Sequence, residues 1–120
     1  MSRKLAKSFY FAFRGIQHAI TSQRNFVIHI IATLTALVIA WACAISLQEW
    51  IVLVLVIGMV FVAETLNTAI EEVVNLASPS QHVLAEKAKD SAAAAVLIAS
   101  ICAIITGVLM LGSRILKVFI

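Results

Sequence analysis

Hydrophobic positions fall into one periodic stretch and three long runs. In the first stretch Leu5, Phe9, Phe13, Ile16 and Ile20 recur at spacings of four, four, three and four. Arg3, Lys4, Lys7, Arg14, Gln17 and His18 occupy much of the remaining circumference. That pattern predicts an amphipathic helix over 2–22, lying at a membrane surface with its cations toward headgroups. Asn25 to Gln48 then passes 24 residues without Lys, Arg, Asp or Glu. About 20 apolar residues span a bilayer core, so a first transmembrane helix is expected over 26–47. Ser46-Leu-Gln-Glu49 reads as a capping box opening a second helix, over 49–75. Ala77-Ser-Pro79-Ser-Gln81 breaks it. A helical turn over 83–89 leads to a third span over 91–113, where Ala92 to Ala95 permit close helix approach.

Composition agrees with this reading. The chain has 120 residues, 62% hydrophobic and 12% charged, with a mean hydropathy of +1.06. That is the composition of an all-α integral membrane domain, with no length left for a second one. The net charge is +3, and placement says more than the sum. Five of nine Lys/Arg lie in the first 24 residues, and two more precede the third span. The positive-inside rule puts the N-terminus and the second-to-third connection on the cytoplasmic side. Arg114, Lys117 and Glu49 fall opposite. No nucleic-acid-binding pattern appears, so the basic patch is read as meeting anionic lipid. Cys43 and Cys102 sit in separate apolar runs and read as small hydrophobes.

The chemistry concentrates after fourteen uncharged residues, Trp50 to Ala63. Glu64, Asn67, Glu71 and Asn75 then follow on one helix. At 3.6 residues per turn, Glu71 and Asn75 fall about 20° to either side of Glu64, and Asn67 about 60° away. Glu72 falls about 80° off, toward water or headgroups. A carboxylate inside the bilayer costs about 2.5–3.5 kcal/mol at its centre and marks a functional site by default. Lys89 and Asp90 approach the same mouth, with His82 nearby. Carboxylates beside a Lys suit Mg²⁺ and phosphates, and a deeper carboxylate can take a proton from a lipid alcohol. Soluble nucleotide-binding loops are absent from the sequence. Lipid phosphotransfer and ion or proton translocation both fit these residues.

Glu64-x-x-Asn67-Thr-Ala-Ile-Glu71-x-Val-Val, joined to Lys87-Ala-Lys89-Asp90-x-Ala-Ala-Ala, resembles the signature of the prokaryotic diacylglycerol kinase family. Ser8-Phe9 through Gly15-Ile16 and Arg24-Asn25-x-x-x-His29 extend the likeness toward the branch that phosphorylates undecaprenol. The resemblance implies an ATP-dependent lipid kinase of a prokaryotic inner membrane, working as a homotrimer with sites shared between protomers. Its lipid alcohol would be undecaprenol or diacylglycerol, its product serving phospholipid or envelope carrier metabolism. By the same resemblance Glu64 is the general base and Asn67 its catalytic neighbour. Glu71 and Gln23 would hold Mg²⁺, while Phe11, Ser80, Gln81, His82, Lys89 and Asp90 would join Glu71 around ATP. Three positions depart from the family pattern: Gln23 for a glutamate, Asn75 for an aspartate and Phe11 for a tyrosine. They keep open a catalytically impaired membrane scaffold, beside the proton- or cation-conducting oligomer.

Overall fold

A computed structural model describes residues 2–22 and 24–120, with the side chain of Arg24 left aside. Gln23, expected at the metal, lies outside the described residues. The chain forms four helices: α1 (Arg3–Ser22), α2 (Arg24–Ala42), α3 (Leu47–Ala77) and α4 (Val83–Phe119). The last three are long and apolar enough to cross a membrane. Leu5, Phe9, Phe13 and Ile16 of α1 stay exposed, the posture of a helix whose apolar stripe faces lipid.

α2 closes at Ala42, five residues short of the expected end. The reason is a Schellman turn: Ile45 N–H reaches Ala40 O at 3.4 Å and Ala44 N–H reaches Trp41 O at 3.2 Å. Ala44 takes the left-handed conformation this requires, with φ of 50°. Ser46 then caps α3. Its Oγ accepts the Glu49 N–H at 3.2 Å, and Glu49 Oε1 accepts the Ser46 N–H at 3.1 Å. The expected capping box is present. Ile45 and Ala40 pack with Leu53 and Leu111 in the apolar core at this end.

α3 and α4 outrun the bilayer. Their 31 and 37 residues make rods of about 46 and 55 Å against roughly 30 Å of hydrocarbon. The expected turn over 83–89 is continuous with the span. Val83 to Thr106 contains neither Gly nor Pro and is rich in Ala, so nothing ends the helix when it leaves the apolar layer. α3 and α4 pack along each other. α2 touches both more sparingly, and Phe26 meets Phe61 of α3 at 5.3 Å between ring centroids.

Candidate active site

α3 carries its polar stripe out of the apolar core toward the loop. Glu64, Asn67 and Thr68 are buried; Glu64 is 1% exposed. Helix geometry puts Glu64 about 26 Å from the start of α3, inside the hydrocarbon but near its far edge. Thr68 Oγ1 donates to Glu64 O at 3.1 Å, and Thr65 Oγ1 to Phe61 O at 2.8 Å. Both hydroxyls are thus satisfied on their own helix. Asn67 Nδ2 donates to Glu71 Oε1 at 3.5 Å, joining two of the expected site residues across one turn. Neither carboxylate oxygen of Glu64 has a hydrogen-bond partner among the described residues.

His29 of α2 is the group facing that carboxylate. Its Nε2 stands 3.6 Å from Glu64 Oε2, an ion-pair distance. Sequence reasoning noted His29 without pairing it to Glu64. The signal was the tight hairpin, which makes α2 and α3 antiparallel and brings their far halves to similar depths.

The stripe does not stay uniform. Glu71 is half-buried and Asn75 exposed. Glu72 is exposed and bonds to His18 Nε2, fastening α1 to α3. Asn75 instead lines a polar cavity of about 240 Å³ formed by the 78–82 loop and the start of α4. Ser80, Gln81, His82, Glu86 and Lys89 complete most of its wall. Pro79 interrupts the chain, Ser78 Oγ donates to Ser80 O at 2.9 Å, and His82 Nδ1 caps α4 by accepting the Leu84 N–H at 3.0 Å. A neutral His82 ring so engaged carries its proton on Nε2, a donor for an acceptor in the cavity. Phe11 and Asp90 are exposed and stand outside this lining; Phe11 meets Tyr10 edge-on at 5.5 Å.

Single-chain geometry therefore yields three levels on one line. The polar loop cavity is at the rim, Glu71 with Asn67 is below it, and Glu64 with His29 is deepest. From Asn75 to Glu64 is about 16 Å along α3. An anionic, elongated ligand could enter from the rim with its far end directed at the buried carboxylate. No cluster of three or more His, Cys, Asp or Glu able to hold a metal occurs among the described residues. A Mg²⁺ carried on phosphates needs only one or two carboxylates, and Glu71 with its amide neighbour meets that requirement.

Residues 10–111 match the sequence profile of the family described as prokaryotic diacylglycerol kinase. The chain is 40% identical to the undecaprenol kinase of Bacillus subtilis (strain 168) over 104 residues, 87% of this chain and 85% of that protein. It is 44% identical to the diacylglycerol kinase of a Synechocystis species over 107 residues, 86% of this chain but 59% of that longer protein. With the diacylglycerol kinase of Escherichia coli (strain K12) it shares 34% identity over 111 residues, 92% of this chain and 91% of that one. A match over that much of the chain, on the residues that build the stripe and the loop cavity, shows that this chain belongs to the prokaryotic diacylglycerol kinase family.

Proposed function

We propose that this protein is a lipid kinase that moves the γ-phosphoryl group of ATP to a membrane lipid alcohol, undecaprenol ahead of diacylglycerol. The observation that carries the reading is Glu64: a carboxylate 1% exposed in a membrane-crossing helix, with no hydrogen bond at either oxygen among the described residues. A structural carboxylate at that depth would be satisfied by donors. One kept for chemistry waits for a substrate hydroxyl. The loop cavity supplies the complement. Lys89 and His82 offer donors to phosphate oxygens, and Ser80 and Gln81 add polar contacts beside them.

The parts act in order of depth. The nucleotide lies in the loop cavity with its phosphates directed down α3. Glu71 would hold Mg²⁺ with the phosphates, Asn67 orienting its carboxylate and Gln23 adding an amide oxygen. Bound there, Mg²⁺ neutralises phosphate charge. The lipid tail stays in the bilayer and its hydroxyl meets Glu64, which takes the proton as the oxygen attacks phosphorus. Phosphoryl transfer asks mainly for positioning and charge neutralisation, which this line of residues provides. The Arg24-Asn25-x-x-x-His29 element favours the single-chain alcohol; overall identity, 40% to an undecaprenol kinase and 44% to a diacylglycerol kinase, does not separate the two.

We place the N-terminus and the loop cavity at the cytoplasmic face of a prokaryotic inner membrane, from the distribution of Lys and Arg. We also infer a homotrimer: the half-exposed end of the stripe and the apolar groove along α3 and α4 suit a neighbouring protomer. Purified protein in detergent, given radiolabelled ATP and a panel of lipid alcohols, tests the reading. Label should enter an organic-soluble product only when a lipid alcohol is present. Absence of lipid-dependent transfer with every alcohol would leave the scaffold, and ion flux in vesicles would then favour the conducting oligomer.

A further inference from the structure

Among the described residues, His29 is the basic side chain paired with the buried Glu64 carboxylate. Its side chain is 21% exposed and lines a cavity of about 470 Å³ between α2, α3 and α4. Val60 bounds that cavity on α3, and Ser100 and Gly107 bound it on α4. No titratable side chain of α3 or α4 lines it among the described residues. On α1, His18 is engaged with Glu72. Along α3 the next acid is Glu71, about 10 Å away. Among the described residues, Nε2 of His29, 3.6 Å from Oε2 of Glu64, is the basic nitrogen within reach of that carboxylate.

A carboxylate withdrawn from water with no partner takes up a proton rather than stay charged, and then abstracts nothing. A base in such a place needs an opposite charge beside it. Resting on the kinase reading above, we propose that His29 is a positioning residue, an imidazolium that balances and orients the Glu64 carboxylate. The lipid O–H bond then breaks toward Glu64. The freed oxygen forms its bond to the γ-phosphorus, and the bridging P–O bond breaks with its electron pair leaving on ADP. The proton stays on Glu64 until it is returned to water between turnovers. His29 touches neither the lipid nor phosphorus in this step and acts only through Glu64. Apo catalytic contacts are commonly long and tighten with substrate bound, as a 3.6 Å pair can.

The test uses the full-length protein in lipid–detergent micelles. His29→Gln should lower kcat by about 10–100-fold, less than the roughly 10²–10⁴-fold carried by a general base, with KM for MgATP and lipid alcohol unchanged. In the Glu64→Gln background the same change should cost nothing more, because the two act as one unit. The cavity beside His29 also admits a small ring. Imidazole should therefore restore His29→Ala, whereas pyrazole, equal in shape but far less basic, should not. Equal kcat in His29→Gln and the parent overturns the proposal. Equal rescue by pyrazole overturns it too, making His29 a packing residue. A readout on the parent protein needs no variant to fold: ¹⁵N resonances of His29 should report an N–H at Nε2, the nitrogen that faces Glu64, and a bare Nε2 overturns the proposal. Failure of the parent to phosphorylate any lipid is a different result, which removes the kinase reading and this inference with it.

Discussion

Arg114 of α4 donates to the same Glu49 oxygen that accepts the Ser46 N–H, so one carboxylate closes a helix cap and joins two helices. This junction lies at the end of the bundle away from the candidate site. Glu49→Ala removes both bonds and Arg114→Gln only one. Thermal unfolding in detergent should show the larger loss for Glu49→Ala. The double variant should fall no further than Glu49→Ala alone, since Arg114 then has no partner left to lose. A double variant clearly less stable than Glu49→Ala would assign Arg114 another role.

Ala44 holds φ of 50° with a Cβ that glycine would lack. The left-handed conformation costs a non-glycine residue about 1–2 kcal/mol, part of which glycine returns as unfolded-chain entropy. Ala44→Gly should therefore stabilise by roughly 0.5–1 kcal/mol and leave kinase activity unchanged. Unfolding curves of the two proteins in the same detergent decide it.

Glu64→Gln keeps the size of the buried side chain and removes the base. Lipid phosphorylation should drop by about 10²–10⁴-fold, with the helical spectrum and oligomer size intact. Near-normal turnover in the purified variant would assign proton abstraction elsewhere.

Much of this is legible in the amino-acid sequence, for a physical reason. The stripe of α1, the capping box of Ser46 and Glu49 and the apolar lengths are local patterns, decided within a turn or two of chain. Glu64 announced itself because a charge after a long apolar run has few innocent explanations. Helix ends were less legible. Ala44 closes α2 with no glycine to signal it, and α4 runs on through its charged first turns because Ala and Lys sustain a helix outside the bilayer as well as within. The stripe reads as uniform in sequence, yet Glu64 is buried and Asn75 exposed, because α3 extends past the start of α2. The pairing of His29 with Glu64 depends on the register of two helices across an interface, which no single-helix periodicity encodes.

Orientation is open to a direct check. In a background lacking Cys43 and Cys102, Gln48→Cys and Ser80→Cys place one thiol at each end of the bundle. On intact cells an impermeant thiol reagent should label position 48 and spare position 80. The reverse pattern would put the loop cavity out of reach of cytoplasmic ATP.

On the family resemblance Gln23 takes the place of a glutamate, and an amide oxygen would bring Mg²⁺ no charge. The protein should need more Mg²⁺ than a relative carrying both acids. Gln23→Glu should lower the concentration for half-maximal activity and leave lipid preference alone. Glu71→Gln in the parent should leave almost no metal-dependent turnover. Superimposable Mg²⁺ titrations of Gln23→Glu and the parent would remove Gln23 from the metal.

The turn between α2 and α3 also bears on how the chain enters the membrane. Only residues 43–46 separate the two helices, too few for one helix to cross while the other waits. A link that short is expected to insert as a hairpin with Glu49 near its tip. Arg114 is 65 residues further on and is synthesised after that tip. The capping box is made within four residues, so the Glu49 carboxylate can take its backbone N–H before Arg114 exists. Arg114 arrives with the last helix and closes the ion pair only when α4 is seated beside α3. The order in which the bonds of Glu49 form is thus the order in which the chain is made.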